Sequence, residues 1–435
     1  MKTEPKILPG FMELLPKDQI LFNKMYDTIR SVYERFGYLP LDTPIIEYSN
    51  VLLAKAGGET EKQIYRFNKG DTDLSLRFDL TVPLARYVAG RYNDLTFPFK
   101  RYQMGKVFRG EKPQKGRFRE FYQCDVDIIG SEELNLLNDA EIPVVIYTAF
   151  NELGFSNFTI RLNNRKILNG LFSSQNISDK SADVLRVIDK IDKIGAESVI
   201  AELESLEINK KVIDVIMSFI SIKGSTNEVL ESLRKFSIKD ELFLEGLNDL
   251  ESVIESIRSF NIPEENFTVD LTIARGLDYY TGTVYETILN DYPKLGSVCS
   301  GGRYDNLAEY YTDKKLPGVG ISIGLTRLFY QLREANIIEP TTSSVAKVLI
   351  IPMDADMAYA LSVSSALINA EISTNVYYEN KALKKKIQYA NRLGIPYIIL
   401  LGETEKQKNI VTLKDMESGN QEELTIANLV KKLKK

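Results

Sequence analysis

Apolar residues recur at helical spacing from Gln19 to Phe36 (Ile20, Phe22, Met25, Ile29, Val32, Tyr33, Phe36) and stop at Gly37, which predicts an amphipathic helix. A strand from Tyr38 to Ile46, containing Pro44, is expected next. Within Leu74 to Ala89, LRFDLT reads as a strand that puts Arg77, Asp79 and Thr81 on one face; capping of the following helix is the alternative role for Asp79. Two strand-like arms, Met104 to Gly110 and Phe118 to Ile129, flank a short loop of Lys112, Pro113, Gln114, Lys115 and Gly116, and predict an antiparallel hairpin. Alternation along the second arm sends Arg117, Arg119, Gln123, Asp125 and Asp127 to one face. Phe118, Tyr122, Cys124, Val126 and Ile128 go to the other, the core face.

Asp139, Ala140 and Glu141 open a helix running to about Leu153, and Phe158 to Leu162 reads as a strand. Between residues 164 and 262 the pattern turns helical, with sets such as Val184, Leu185, Ile188, Ile191 and Val212, Ile213, Ile216, Phe219. A polar TTSS run then acts as a linker. Beyond it, strands at Lys347 to Ile351, Asn375 to Tyr378, Tyr397 to Leu401 and Ile410 to Leu413 alternate with helices near 356–370, 383–393 and 424–434. That order predicts an α/β domain with a mixed or parallel sheet. Lys384, Lys385 and Lys386 read as a solvated helix face.

With 435 residues, the chain has room for two to four domains, and 44% hydrophobic with 26% charged residues is the balance of a soluble globular protein. No apolar run approaches the roughly 20 residues that span a bilayer, and the N-terminus has no apolar leader core, so a cytoplasmic protein is expected. Cys124 and Cys299 lie outside any ligand spacing and are expected as reduced, buried thiols. Histidine is absent, which removes the commonest general base and metal ligand. Magnesium carried on nucleotide phosphates is the metal that fits such a chain.

The net charge is -5, yet between Lys100 and Arg119 eight basic residues face one acidic residue, Glu111. Such a local excess suits a polyphosphate. The bland alternative is the solvated face of an ordinary hairpin.

The stretch FRGEKPQKGRFREFYQCDVDIIG resembles motif 2 of class II aminoacyl-tRNA synthetases, in the form used by the histidyl-tRNA synthetase family. The resemblance implies that Arg109 holds the ATP α-phosphate and the amino-acid carboxylate, a task suited to a permanently charged fork. It implies that Glu111 and Arg117 touch ATP, that Gln123 and Asp127 bind the amino acid through its ammonium group, and that loop residue Gln114 meets the tRNA acceptor end. LRFDLT is similar to the family element that supplies an acid to the amino-acid pocket, so Asp79, with Thr81 beside it, is the candidate for the ammonium. ARGLDYYTGTVYE, Ala274 to Glu286, resembles the peptide peculiar to the histidine enzymes. There Arg275 is the family's residue for the charge that builds on the phosphoryl oxygens, and Tyr279 and Tyr280 can wall and hydrogen-bond an imidazole.

GSVCSGGRYDNL follows, its paired glycines suited to close approach of a ligand, with Tyr304 and Asp305 as lining candidates; Ser300 replaces the first of three glycines usual in the family. GVGISIGLTRL, Gly318 to Leu328, is similar to motif 3, where Arg327 stacks on adenine and pairs with the γ-phosphate; Thr326 stands where glutamate is common. GFMELLP and the helix, strand and proline after it resemble motif 1, which implies a homodimer; Glu13 replaces the usual aspartate of the first segment.

The resemblance implies an α+β catalytic domain built on a class II antiparallel sheet, in two parts (1–163 and 263–335), a helical insertion (164–262), a linker (336–346) and an anticodon-binding-like α/β domain (347–435). The implied activity is ligation of histidine to its tRNA with ATP and magnesium. A non-catalytic relative, either a regulatory subunit in histidine biosynthesis or a tRNA sensor, is the alternative. Arg109, Arg275, Arg327 and the complete C-terminal domain argue against it.

A histidine-activating enzyme built without histidine can be translated when charged histidine tRNA is scarce; compositional drift is the competing explanation. If scarcity is the reason, introducing histidines at neutral surface positions lowers synthesis of the enzyme under histidine starvation but not in rich medium, as read by pulse labelling. Unchanged synthesis leaves drift as the explanation.

Overall fold

The computed structural model describes residues 2–54, 59–112, 116–236, 238–273, 280–353 and 357–434. It divides into two compact units, residues 1–12 with 26–334, and residues 13–25 with 335–435. The chain opens with α1 (Pro16–Arg35), β1 (Leu39–Pro40), β2 (Ile46–Tyr48), the short helices α2 (Ser49–Leu53) and α3 (Glu59–Gln63), β3 (Arg66–Lys69), β4 (Thr72–Leu76) and α4 (Thr81–Gly90). The long hairpin strands β5 (Phe99–Phe108) and β6 (Glu120–Ile129) follow, then α5 (Leu137–Glu152) and β7 (Phe158–Asn164). Next come α6 (Arg165–Ser174), α7 (Ser181–Ile188), α8 (Ile191–Ser205), α9 (Lys210–Ile220), α10 (Thr226–Lys235) and α11 (Glu241–Ser259). The chain then returns through β8 (Phe267–Val269), β9 (Thr283–Leu289), β10 (Cys299–Tyr304), β11 (Gly318–Ile323) and α12 (Leu325–Glu334).

One eight-stranded sheet organises the first unit, in the order β1-β5-β6-β11-β10-β9-β7-β8. Only its outermost pairs, β1 with β5 and β7 with β8, are parallel. The predicted hairpin is β5 paired antiparallel with β6, from Phe99 opposite Ile129 to Phe108 opposite Glu120, so the first arm starts five residues earlier than its sequence pattern suggests. Cys124, Val126 and Ile128 are fully enclosed, as the alternation requires. Tyr33 of α1 locks onto them by donating from its hydroxyl to the carbonyl of Cys124 at 2.9 Å. On the charged face Gln123, Asp125 and Asp127 are buried as well, whereas Arg117 near the start of the second arm is exposed. Both cysteines are buried free thiols.

Two local expectations fail for backbone reasons. Tyr38 to Ile46 is not one strand, because Pro40 and Pro44 lack amide hydrogens and break the ladder into β1 and β2, which belong to different sheets. LRFDLT is not strand throughout either: β4 ends at Leu76 and α4 starts at Thr81. Arg77, Asp79 and Thr81 therefore share no strand face. The Arg77 guanidinium turns into the interior, where Nε donates to the Lys106 carbonyl at 2.8 Å and Nη1 to the Thr43 carbonyl at 2.5 Å.

The second unit carries β12 (Val348–Pro352), α13 (Met357–Asn369), β13 (Thr374–Val376), α14 (Leu383–Leu393), β14 (Tyr397–Leu401), α15 (Glu403–Lys408), β15 (Ile410–Asp415), β16 (Gln421–Thr425) and α16 (Ile426–Leu433). Its sheet, β13-β12-β14-β15-β16, is parallel around β12 and antiparallel beyond β14. The predicted α/β order holds, although α15 and β16 are too short and polar to register as periodic patterns. Lys386 departs from its expected solvated face: it is buried, and Nζ donates to the Pro352 carbonyl at 2.8 Å while Lys384 and Lys385 stay exposed. Among the described residues no helix is long and apolar enough to cross a membrane.

A buried ion pair ties α5 to β10. Arg303 Nε donates to both carboxylate oxygens of Asp139 at 3.1 Å, and Nη2 to one of them at 2.6 Å. Asp139 is fully enclosed, and burial raises its carboxyl above the ordinary range. Arg303→Met leaves that carboxylate without a counter-charge, a loss of about 3–5 kcal/mol. Urea unfolding at pH 7.5 should report it, with a smaller loss at pH 5 where the orphaned carboxyl takes up a proton.

Candidate active site

The first turn of α4, the ends of β5 and β6, strands β10 and β11 and the start of α12 surround a cleft of about 390 Å³. It gathers the expected phosphate-binding residues Arg109, Glu111, Arg117 and Arg327 and the expected amino-acid residues Asp79, Thr81, Gln123, Asp127, Tyr280 and Tyr304. Gln114, Arg275 and Tyr279 lie outside the described residues.

At one end, Arg109 follows directly on β5, its backbone amide bonded to the Arg119 carbonyl. Its guanidinium lies 4.4 Å from the ring centre of Phe78 and 5.1 Å from that of Phe121. Two aromatic faces therefore hold a planar cation in place. Nε donates to the Phe78 carbonyl at 3.3 Å and Nη2 reaches the Gln123 side-chain oxygen at 3.5 Å. Arg117 pairs with Glu111 at 3.3 Å. Arg327 sits on the first turn of α12 and donates to the Leu295 carbonyl at 3.1 Å. Its neighbour Thr326 is buried and accepts the backbone amide of Tyr122 at 2.8 Å, a structural role.

At the other end the charge is negative. Asp127 is paired with Arg101, which is 0% exposed, at 2.6 Å, and accepts the Tyr304 hydroxyl at 2.6 Å. Two glycines of β11 make this arrangement possible: a Cβ at Gly320 would strike the Asp127 carboxylate, and one at Gly318 would strike the Tyr304 ring. Asp79 is buried, lines the cleft, and accepts the Val82 amide at 3.0 Å, so a bond to the start of α4 coexists with exposure to a ligand. Burial raises the carboxyls of Asp79 and Asp127, against the pull of the backbone amides on the first and of Arg101 on the second.

Other expectations are corrected. Asp305 does not line the cleft; it accepts the Thr281 hydroxyl at 2.5 Å and faces Arg303. Gly301 and Gly302 are not among the residues lining the cleft. Gly301 packs against the backbone of Gly320 and Ile321, and Gly302 against Thr283 and Tyr280. Ser300 lines the cleft instead.

Sequence reasoning missed Arg101, Asp125 and Ser322 as parts of the site. A signal existed for Arg101: two acids at alternate positions of a buried strand require a cation on a neighbouring strand. Asp125 is 2% exposed, and burial, opposed by Arg101 and reinforced by Asp127, pushes its carboxyl up to about 7. Among the described residues no three acidic or cysteine side chains are grouped as metal ligands.

Residues 10–328 match the family model described as histidyl-tRNA synthetase, and residues 347–435 match that of an anticodon binding domain. A histidine–tRNA ligase of Clostridium tetani is 60% identical over 433 residues, 99% of this chain and 98% of its own. The crystal structure of histidyl-tRNA synthetase from Nostoc sp. PCC 7120 superposes with a TM-score of 0.91 at 41% identity, covering 100% of this chain and 99% of that one. A Bacillus halodurans structure described as an ATP phosphoribosyltransferase regulatory subunit/histidyl-tRNA synthetase has a TM-score of 0.75 over 90% of this chain and 98% of its own. At 21% identity it shares the fold alone.

The raised carboxyl of Asp125 makes a stability prediction. The folded state keeps that proton after the unfolded state has lost it near pH 4, so stability falls as pH rises to about 7 and is level above. Asp125→Asn, which cannot ionise, should gain on the parent by roughly 2 kcal/mol between pH 5 and pH 8. Urea unfolding of the ligand-free proteins at both pH values measures this, and an equal difference at both refutes it.

Proposed function

The chain belongs to the histidyl-tRNA synthetase family, and we propose that it is a histidine–tRNA ligase whose cleft joins histidine to ATP before the aminoacyl group passes to tRNA. The observation that carries this reading is the separation of charge along the cleft: arginines at the Phe121 end of β6, carboxylates at the Asp127 end. A polyphosphate and a zwitterionic amino acid with a polar ring require that polarity.

In the first step a histidine carboxylate oxygen bonds to the α-phosphorus while the bond to the bridging oxygen breaks, releasing pyrophosphate. Arg109 aligns the carboxylate with the α-phosphate, and its guanidinium, already held by Phe78 and Phe121, needs little reorganisation. Arg275 adds charge to the same phosphate, an assignment resting on family resemblance. Glu111, Arg117 and Arg327 hold the nucleotide. ATP enters as its magnesium complex, in which the metal neutralises phosphate charge. Asp79, Thr81 and Gln123 take the ammonium, while Asp127, expected at the ammonium but bonded to the Tyr304 hydroxyl at 2.6 Å, joins Tyr280, Tyr304 and, by resemblance, Tyr279 around the imidazole. In the second step the terminal ribose hydroxyl of tRNA attacks the adenylate carbonyl, AMP leaves, and a phosphate oxygen of the adenylate receives the hydroxyl proton. Gln114 is the loop contact to the acceptor end, and residues 347–435 are the anticodon reader.

We also assign the enzyme to the cytoplasm as a homodimer. Leu39, Ile46 and Tyr48 are exposed on edge strands β1 and β2, where apolar side chains favour a second copy. The non-catalytic alternative is disfavoured by Arg109 and Arg327 in one cleft and by the match over residues 347–435.

ATP–pyrophosphate exchange tested with each of the twenty amino acids should respond to histidine alone. Arg109→Ala should lower the rate by about 10²–10³-fold. A folded preparation that exchanges with none of the twenty ends the ligase reading.

A further inference from the structure

A row of polar side chains crosses the sheet beneath the cleft. In register across adjacent strands stand Gln103 of β5, Asp125 of β6, Ser322 of β11, Ser300 of β10 and Glu286 of β9. Most have partners inside the protein. Gln103 donates to Asp42 at 2.9 Å, Ser322 accepts Gln123 Nε2 at 2.6 Å, and Glu286 faces Arg161 at 4.0 Å.

Asp125 is satisfied only in part, by a side-chain hydrogen bond with Ser322. Its Oδ1 is buried with no hydrogen-bond partner among the described residues, although the side chain lines the cleft and is 98% enclosed. A buried carboxylate oxygen left unpaired is costly, and a ligand that supplies the missing charge recovers that cost. Of the nearby cations, Arg109 is held by the Phe78 carbonyl and Gln123, while Arg101 pairs with Asp127 at 2.6 Å through Nη2 and its Nε and Nη1 hydrogen-bond to nothing among the described residues, Asp125 included. What the cleft lacks at Asp125 is a cation from outside. Strand geometry puts Asp125 on the same face as Gln123, a group assigned to the ammonium, and Asp127, assigned to the ring, about 7 Å from each. The group carried there is the α-ammonium.

Building on the ligase reading, we propose that Asp125 is a substrate-binding carboxylate that receives the ammonium of the incoming amino acid and gives up a proton as it does so. The proton comes from the Asp125 carboxyl and leaves to solvent; the carboxylate and the ammonium then form the ion pair. The groups that face Asp125 and set its titration are Arg101 of β5, Cys124 and Asp127 of its own strand, Cys299 of β10, Asp79 before α4 and Tyr33 of α1. Arg101 alone among them is a permanent cation, and it favours the carboxylate, whereas the neighbouring acids favour the proton.

The test is calorimetric titration of histidine into the full-length enzyme from pH 6 to 8.5, in two buffers of different ionisation enthalpy, for the parent and Asp125→Asn. At pH 7 the parent should release about half a proton per histidine beyond the release seen with the variant, which shares the substrate's own imidazole titration. The variant should bind roughly 10–100-fold more weakly at pH 8, with the gap closing toward pH 6, where the parent must first lose a proton. Weaker binding with unchanged proton release would reduce Asp125 to a structural role and overturn the proposal, as would parental affinity in the variant. If the parent ignores histidine but binds another amino acid, the ligase assignment fails, and the same comparison with that amino acid decides the role of Asp125, because every amino acid brings the ammonium. A folded parent that binds no amino acid overturns both.

Discussion

The ion pair of Arg101 with Asp127 is the constraint on which the rest of the site depends. A guanidinium that is wholly enclosed on β5, one strand in from the edge of an eight-stranded sheet, is tolerated only with a matched carboxylate and close geometry. The match is made by register: Arg101 lies directly opposite Asp127 in the β5–β6 pairing, and Gly320 on the other side of Asp127 leaves space for the carboxylate. A slip of one residue would turn both charges into the apolar layer occupied by Val126 and Ile128. The same register sets Tyr304 against Asp127 and leaves Asp125 facing the cleft.

This arrangement accounts for a cleft with two electrical ends. Aromatic faces clamp Arg109 where a phosphate is expected, and a buried pair fixes Asp127 where a polar ring is expected. Groups held in place before the substrates arrive need not reorganise as charge develops, which is how a protein without histidine assists a phosphoryl transfer by position and electrostatics. The cost is a concentration of buried acids, Asp79, Asp125 and Asp127, whose carboxyls burial pushes upward. Strain of this kind is recoverable when a cationic ligand binds.

Much of the scaffold was legible in residue order because it depends on local periodicity. Helix α1, the hairpin of β5 and β6, the helices between β7 and β8 and the α/β order of the second unit all follow from spacings of two or of about 3.6 residues. Prolines and short turns escaped that logic: Pro40 and Pro44 split one expected strand into two, and Leu76 ends β4 before Arg77, so the acids and bases of LRFDLT face different surroundings. Arg109, Gln123, Asp127 and Arg327 were recognisable from their motifs and converge on one cleft. Asp305, Gly301 and Gly302 stood in equally suggestive motifs; Asp305 bonds to Thr281 and faces Arg303, and the two glycines pack against neighbouring backbone.

The sequence by itself determined which side chains share a face of β6, because alternation is a property of the extended backbone, and which residue types were on hand for phosphate and carboxylate chemistry. It could not determine what stands opposite that face. Arg101 reads in the sequence as one more base in a basic run, and Ser322 as a small residue among glycines. Only the pairing of β5, β6 and β11 brings them to Asp127 and Asp125. Burial and charge compensation arise between strands distant in the chain, so only the tertiary structure decided which acid is paired internally and which is left for a ligand.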